Sequence, residues 1–297
     1  MIAAVKSDTM LSCASCGIAG GDDIKLKKCT ACYLVQYCSV KCQRDDRPKH
    51  KKACKKRMAE LRDEILFKQP ESNHFVDCPI CYLPLSIDPK KSTLMSCCSK
   101  YICNGCDYAN TKREVEGKLQ QKCAFCRKAA PKTEEEFNKQ LTKRIEANDP
   151  VAMCFTGTER YIEGDYKSAF EYWSKAAALG DVEAHYQLSC LYREGKGVEK
   201  DEKKQLHHAE EAAIGGDSDA RHNLGCLERE KGRVERAVKH FIIAAKLGDD
   251  KSLEAVKDHY KAGFVSKDDF AAALRCYQAT IDASRSPQRE EAERTGI

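Results

Sequence analysis

Cysteine and histidine recur in the first 126 residues at the spacings that zinc sites use, and they form two arrays. The first array is Cys13, Cys16, Cys29, Cys32, Cys38, Cys42, His50 and Cys54. The second array is Cys78, Cys81, Cys97, Cys98, Cys103, Cys106, Cys123 and Cys126. Eight thiolate or imidazole ligands are enough for two tetrahedral zinc ions. The sequence therefore predicts four structural Zn²⁺ ions, or three if the adjacent pair Cys97-Cys98 does not close a site.

Metal accounts for these cysteines better than disulfide bonds do. Of the 19 cysteines, seven lie in the first array and eight in the second, whereas a secreted disulfide scaffold spreads its cysteines through a short chain. An iron–sulfur cluster needs fewer ligands than either array supplies. Sites closed by four protein ligands leave no position for a reactive water, so zinc is expected to be structural. The cysteines outside the arrays are expected to be buried packing residues: Cys154, Cys190, Cys226 and Cys276.

The distribution of charge argues against nucleic acid as a partner. The net charge is +5, and residues 1–56 carry 12 Lys or Arg against 5 Asp or Glu. Seven thiolates and two zinc ions reduce the charge of that segment to about +4, too little to indicate nucleic-acid binding. We find no signal-like apolar run and no stretch of the ~20 apolar residues that span a membrane. The sequence predicts a soluble protein of the cytosol or nucleus. The basic run at 50–57 resembles a nuclear import signal, but a solvated helix face explains it better.

Two helical segments are predicted around the second array. Residues 55–69 place Met58, Leu61 and Ile65 on one face, and Pro70 ends the segment. A connecting helix is predicted within 131–149, where Thr133 and Glu136 form a capping box.

The second half of the chain repeats. The segment Ala177–Asp181 recurs as Ala212–Asp217 and as Ala244–Asp249. This spacing and the small residues at matching positions predict paired helices that stack, because one hairpin cannot bury its apolar face alone. A fourth, degenerate unit is predicted after residue 250. The polar tail from Arg285 is expected to be disordered or a frayed terminal helix.

The first array, with the strings YCSVKCQ and HKKAC, resembles a MYND zinc finger. This resemblance implies interleaved ligation, with Cys13, Cys16, Cys38 and Cys42 around one ion and Cys29, Cys32, His50 and Cys54 around the other. It also implies binding of short proline-containing peptides. The family frequently has an aromatic residue where this chain has Arg47.

The second array resembles an all-cysteine RING finger. The resemblance implies one site of Cys78, Cys81, Cys103 and Cys106, and another of Cys97, Cys98, Cys123 and Cys126. Most of the family has one or more residues between the third and fourth ligands, whereas Cys97 and Cys98 are adjacent here. If Cys98 were the third ligand, the fourth position would fall near Lys100, which cannot bind a metal ion while protonated. Active members recruit a ubiquitin-conjugating enzyme, and Ile80 and Arg127 occupy the positions that contact it.

The repeats resemble Sel-1-like repeats, relatives of the tetratricopeptide class, most clearly at 184–217. The predicted fold is multidomain, with two small zinc-stapled α+β modules followed by an all-α solenoid of helical hairpins. The predicted division is a MYND finger (1–56), a linker helix (57–72), a RING-like finger (73–130), a connecting helix (131–149), the solenoid (150–284) and a polar tail (285–297).

The predicted function is that of a zinc-binding adaptor whose solenoid and MYND finger bind other proteins or peptides. The alternative is a RING-type E3 ubiquitin ligase in which either of these modules selects the substrate. Association with chromatin through the MYND finger is a weaker third possibility. No nucleophile–base pair, phosphate loop or pair of catalytic carboxylates stands out in the sequence.

Overall fold

The computed structural model describes residues 12–295, and the chain divides into two compact units, Met1–Lys68 and Gln69–Ile297. The strands are β1 (Lys27–Lys28), β2 (Gln36–Tyr37), β3 (Ser92–Met95) and β4 (Lys100–Cys103). The helices before the repeats are α1 (Val40–Leu66), α2 (Asn104–Glu116) and α3 (Glu134–Glu146). The helices that follow are α4 (Pro150–Ile162), α5 (Tyr166–Ala178), α6 (Val182–Glu194), α7 (Glu202–Ile214), α8 (Ser218–Glu230), α9 (Val234–Lys246), α10 (Asp250–Lys261), α11 (Lys267–Ala283) and α12 (Pro287–Arg294). Across residues 12–295, no helix combines the length and the apolar character needed to cross a membrane.

The first unit is a short hairpin followed by one long helix. Strands β1 and β2 pair antiparallel, with Lys27 opposite Tyr37. Helix α1 begins after Ser39, whose hydroxyl accepts a hydrogen bond from the Cys42 N–H at 3.2 Å. Because of this N-cap, α1 begins well before Met58, the first residue of the apolar face predicted from the sequence. The predicted linker helix at 57–72 is therefore not a separate element, because residues 57–66 are the second half of the 27-residue α1.

A second hairpin and a helix open the other unit. Strands β3 and β4 pair antiparallel from Ser92 opposite Cys103 to Met95 opposite Lys100. Helix α2 follows directly, with Cys103 as its N-cap residue. Leu85 and Ile102 are buried among the cysteine thiols in a small core. The cluster is too small to hold this segment together by apolar burial alone.

Paired helices form the solenoid. Helices α4 and α5, α6 and α7, and α8 and α9 pack as hairpins, and α10 packs against both α9 and α11. Asp149, Asp181, Asp217 and Asp249 cap the first helix of successive pairs, each accepting from backbone N–H groups. This recurring aspartate satisfies donors that a helix start leaves free. The degenerate fourth unit predicted after residue 250 corresponds to α10 and α11.

Glycine is required where an aromatic ring of the second helix meets the first. A Cβ atom at Gly157 would lie 2.6 Å from the ring of Trp173, and one at Gly225 would lie 2.6 Å from the ring of Phe241. Both aromatic side chains are almost completely buried. Close approach of the paired helices therefore depends on the missing side chain, and the indole N–H of Trp173 donates to the Cys154 carbonyl at 3.1 Å.

Helix α3 joins the segment that carries the second cysteine array, called the finger below, to the solenoid through one continuous core. Thr133 caps α3 as the sequence predicts. Leu141 of α3 packs in one buried cluster with Leu94 of β3 and Ala152 of α4. Finger, connecting helix and repeats thus share apolar contacts instead of being separated by a flexible linker.

The C-terminal segment is an ordered helix, which corrects the prediction of a disordered or frayed tail. Ser286 caps α12 and Pro287 occupies its first turn. The helix packs against α2, and Ala292 is fully buried. A polar sequence was misleading here because most of its side chains make ion pairs and hydrogen bonds at the surface, while one small residue provides the buried contact.

Candidate metal centres

Four groups of cysteine and histidine side chains have the arrangement of metal sites. Within each group, one donor atom from every residue lies within 4.8 Å of the others. The groups are Cys13, Cys16, Cys38 and Cys42; Cys29, Cys32, His50 and Cys54; Cys78, Cys81, Cys103 and Cys106; and Cys97, Cys98, Cys123 and Cys126. The structure thus brings together the same four sets of residues that the two family resemblances imply. Because the sets alternate along the chain, each pair of sites would brace one module across two loops.

Tight turns position the paired cysteines. The residue after the second cysteine of four Cys-x2-Cys pairs is left-handed, at Gly17 (φ 75), Tyr33 (φ 57), Tyr82 (φ 58) and Arg127 (φ 62). In each turn the N–H of this residue donates to the carbonyl of the first cysteine. Non-glycine residues adopt this conformation at a cost, so surrounding interactions must stabilise the turn. A metal ion held by both thiols is such an interaction.

Distances between donor atoms fit zinc. Tetrahedral coordination with Zn–S bonds of about 2.3 Å separates neighbouring sulfur atoms by about 3.8 Å. In the first unit, the Sγ atoms of Cys16 and Cys38 are 3.6 Å apart, and those of Cys29 and Cys54 are 3.9 Å apart. In the second unit, Cys81 and Cys103 are separated by 3.8 Å. The residues present therefore match a Zn²⁺ ligand set in number, type and spacing.

Electrostatics within a group also call for a cation. Hydrogen bonds from the backbone N–H groups of Cys16 and Cys38 lower the pKa of the Cys13 thiol to about 6. The pKa of Cys38 is raised to about 12, because the side chains of Cys16 and Cys42 hydrogen-bond to its thiol. One thiolate thus suppresses ionisation of its neighbour. A divalent cation among the sulfur atoms would allow all four to ionise.

The adjacent cysteines Cys97 and Cys98 both face the same partners. The turn between β3 and β4 is closed by hydrogen bonds from the N–H groups of Cys98 and Ser99 to the Met95 carbonyl. Ser99 is left-handed, with φ 54. The Cys97 and Cys98 thiols lie 3.2 Å from Cys126 Sγ and 3.9 Å from Cys123 Sγ, respectively. This turn therefore directs two consecutive side chains to one position, and Lys100 lies beyond it on β4.

Arg127 is bound to α2 instead of being free in solvent. Its guanidinium donates to Asn110 Oδ1 and to Glu114 Oε1, each at 2.8 Å. Glu114 is buried to 1% exposure and also accepts from the Lys122 N–H. Although burial acts to raise it, the pKa of Glu114 is lowered by the Lys122 N–H and by Arg127. The interaction fixes the loop that ends the second array against α2.

Arg289 is a functional candidate that sequence reasoning missed. Its guanidinium donates to Cys81 Sγ at 3.4 Å, to the Leu83 carbonyl at 3.1 Å and to the Pro84 carbonyl at 2.7 Å. The α12 backbone is so close to α2 that a Cβ atom at Gly105 would lie 2.8 Å from Arg289 N. Such an outer hydrogen bond stabilises a thiolate ligand and fixes its orientation. The Ser286-Pro287 helix start was readable from sequence, but the distant partner was not.

A groove of about 480 Å³ crosses the first unit beside the His50 group. Tyr37, Val40 and Met58 contribute apolar atoms to it. Its basic lining residues are Arg44, Arg47, Lys51 and Lys55. Arg47, which stands where the MYND family frequently has an aromatic residue, is therefore part of a concave surface that combines apolar and positive groups.

The cysteines outside the four groups differ from one another. Cys154 is buried, and Cys190 and Cys226 are partly buried. The prediction of a buried packing residue is wrong for Cys276, which is exposed. It lies on α11, the last helix of the stack among residues 12–295.

Comparisons with known proteins identify two parts of the chain. The sequence model of the MYND finger matches residues 13–54, and that of the Sel1 repeat matches 152–181, 182–217 and 218–249. No curated protein matches the sequence. A Sel1 repeat protein from Oxalobacter formigenes is 26% identical with a TM-score of 0.42, over 53% of this chain and 68% of that one. The protective antigen c5321 of uropathogenic Escherichia coli, which has an SLR fold, is 24% identical with a TM-score of 0.41, over 56% of this chain and 37% of its own.

The chain thus contains one region that matches the MYND finger and three that match the Sel1 repeat. A MYND finger implies zinc binding, and a Sel1 solenoid implies protein–protein interaction. The predicted fold class, a zinc-finger region followed by a helical solenoid, is confirmed. A zinc-binding, protein-interacting adaptor is the function that these findings support.

Replacing Arg289 with alanine is expected to release α12 from the finger. Hydrogen bonds to a charged group contribute about 1.5–3 kcal/mol each, so amide exchange over residues 287–294 should accelerate more than tenfold. Hydrogen exchange read by mass spectrometry measures this in the full chain. Arg285→Ala is the matched control, because Arg285 is exposed and pairs with Asp282 of the preceding helix. Equal exchange in the wild type and Arg289→Ala would contradict the assignment.

Proposed function

We propose that this chain is an intracellular adaptor in which four zinc-stabilised sites support two partner-binding surfaces. The proposed domains are a MYND finger (1–56), a RING-like finger (73–130) and a helical-repeat domain (150–284), connected by residues 57–72, which include the second half of α1, and by residues 131–149, which include α3. Each of the four groups of cysteine and histidine ligands described above would hold one Zn²⁺. The ions stabilise the fold and take no part in chemistry, because four protein ligands leave no open position.

The continuous core of the second unit is the observation that carries the adaptor proposal. Leu94, Leu141 and Ala152 come from finger, connecting helix and solenoid, and they share one buried cluster. Arg289 of α12 adds hydrogen bonds to the RING-like finger. Partners bound on the RING-like finger and on the solenoid would therefore be held at a fixed separation. A fixed separation is what an adaptor contributes to the proteins it joins.

The groove of the first unit supports peptide binding and indicates the chemistry of the peptide. Its floor carries apolar atoms of Tyr37 and Met58, while Arg44, Arg47 and Lys51 supply positive charge. An extended peptide with an apolar anchor beside acidic residues complements both features. We propose such a peptide as the ligand of the MYND finger, with Arg47 selecting the acidic residues.

Zinc content tests the four proposed sites. Native mass spectrometry of the full chain loaded with four equivalents of zinc is expected to find four ions, and Cys98→Ser is expected to hold one fewer than the wild type, because a neutral hydroxyl is a poor zinc ligand. Cys190→Ser is the control, since Cys190 lies in the solenoid, outside every group. An unchanged count in Cys98→Ser would show that the adjacent cysteines do not both ligate.

Peptide binding tests the adaptor surface of the MYND finger. The full chain is expected to bind a fluorescent peptide with a central proline and leucine flanked by glutamates, and Arg47→Glu should weaken binding at least about tenfold through like-charge repulsion. Lys25→Glu makes the same charge change at an exposed position that does not line the groove. Equal affinity for the same peptide with lysines in place of glutamates would contradict the charge complementarity proposed for this groove.

A second candidate function, that of an E3 ubiquitin ligase, rests on the RING-like finger. Ile80, between the first two ligands, is 36% exposed, and Phe125, between the last two, is 43% exposed. Exposed apolar residues on both metal loops favour a partner surface. Helix α12 leaves part of α2 uncovered: it meets Gly105 and Lys112, whereas Asn110 and Glu114 project from the opposite side of the helix. Arg127, however, is already hydrogen-bonded to that side.

The ligase candidate predicts ubiquitin transfer by the full chain with at least one conjugating enzyme of a broad panel. Ile80→Ala and Arg127→Ala should each reduce transfer more than tenfold, because positioning of the reactive thioester is lost. Leu119→Ala serves as the control, since Leu119 is an exposed apolar residue of the same finger outside the metal loops. If no enzyme of the panel supports transfer, the ligase candidate is wrong and the adaptor proposal is unaffected.

A further inference from the structure

His74 is buried between two carboxylates from neighbouring repeats. It precedes the first cysteine of the RING-like finger, while Glu183 lies in the first turn of α6 and Asp217 caps α8. The segment before His74 lies directly on the solenoid, since a Cβ atom at Gly216 would be 2.7 Å from the Ser72 carbonyl oxygen. This small cluster therefore sits where the finger meets the repeats.

Each carboxylate has one oxygen already committed and one facing the histidine. Asp217 Oδ1 accepts from the Ala220 N–H at 2.6 Å, and Glu183 Oε1 accepts from Gln187 at 2.5 Å. The second oxygens point toward His74, with Glu183 Oε2 3.3 Å from Nε2 and Asp217 Oδ2 3.6 Å from Nδ1. Outer hydrogen bonds that orient a carboxylate in this way are typical of metal ligands.

The imidazole is buried, and each of its ring nitrogens faces a carboxylate. The His74 side chain is 10% exposed, and neither ring nitrogen is well aligned for a hydrogen bond to the carboxylate beside it. One donor atom from each of His74, Glu183 and Asp217 lies within 4.8 Å of the other two. Zinc bonds of about 2.0–2.1 Å to nitrogen and oxygen place neighbouring ligands about 3.3 Å apart, the separation seen between Nε2 and Glu183 Oε2.

We propose that His74, Glu183 and Asp217 bind one divalent cation, a site distinct from the four cysteine groups, and that this ion fastens the finger to the solenoid. One imidazole and two carboxylates suit Zn²⁺ or Mn²⁺. Glu183 keeps about a third of its surface exposed, which provides access for the ion and for water ligands. Through the two acidic residues, the ion would also link the start of α6 to the start of α8.

The charge of the cluster is consistent with this assignment. Burial raises the pKa of Asp217 to about 7, and the neighbouring Glu183 charge opposes its ionisation further. Although burial acts to lower it, the pKa of His74 is raised by Glu183, Asp217 and Asp181, and His74 in turn lowers the pKa of Glu183 against the effect of burial. A divalent cation would allow Asp217 to remain ionised in its buried position. A proton on His74 is the competing occupant, since both ring N–H groups would then face a carboxylate.

Titration with Mn²⁺ of the full chain loaded with only four equivalents of zinc tests the site, because the thiolate sites retain that zinc and manganese prefers oxygen and nitrogen ligands. Electron paramagnetic resonance should detect one saturable Mn²⁺ site in the wild type. His74→Gln and Glu183→Gln should weaken binding at least about tenfold. His207→Gln is the control, because His207 is an exposed histidine of the same solenoid outside the cluster.

Native mass spectrometry of zinc-saturated protein gives a second readout that does not depend on the number of filled cysteine sites. The wild type should hold one more ion than His74→Gln. Equal counts, together with no saturable Mn²⁺ binding, would overturn the proposal. If the protection factors of the amides over residues 72–76, corrected for the intrinsic pH dependence of exchange, then change between pH 6 and 8 in the wild type but not in His74→Gln, a proton occupies the cluster instead of a metal.

Discussion

The constraint on which this structure depends is that four sulfur atoms, or three and an imidazole, lie within 4.8 Å of one another in each cysteine group. Neither finger has enough apolar residues to fold by burial, and the cysteines themselves make up most of what is buried there. A structural zinc ion contributes an apparent ~10–16 kcal/mol of folding free energy, which exceeds what a core of this size supplies. The left-handed turns after the cysteine pairs and the alternation of the ligand sets all follow from bringing these atoms together.

In the second unit, a segment held together in this way is packed against the long helical solenoid. Helix α3 connects the finger to the repeats through a shared apolar cluster, and α12 returns from the far end of the solenoid to the finger. The repeats supply a regular stack, because aspartate caps and the absence of side chains at Gly157 and Gly225 recur at matching positions. The finger is therefore held from both sides, by the helix that follows it and by the helix that ends the chain.

Sequence alone was sufficient for features that depend on spacing. The two cysteine-rich arrays, the repeat period and the cap at Thr133 are local patterns, and the structure contains the clusters and helices that they predict. The division of each array into two ligand sets is what the family resemblances imply. Features that depend on which distant surfaces meet were not readable. Nothing near Arg289 indicates that it binds the loop after Cys81, and nothing near His74 indicates that Glu183 and Asp217 surround it. The start of α1 was missed because its cap precedes a polar stretch without apolar periodicity.

The return of α12 to the finger has a consequence for how the protein is made. The finger leaves the ribosome about 160 residues before Arg289 does, which at 5–20 residues per second is roughly 10–30 s. During that time the loop after Cys81 lacks its final partner and the surface of α2 around Gly105 is uncovered. A chain interrupted before residue 287 would keep its cysteine ligands but never acquire this cover. Helix α12 thus distinguishes a chain that includes residues 287–294 from one that lacks them, at a site formed early in synthesis.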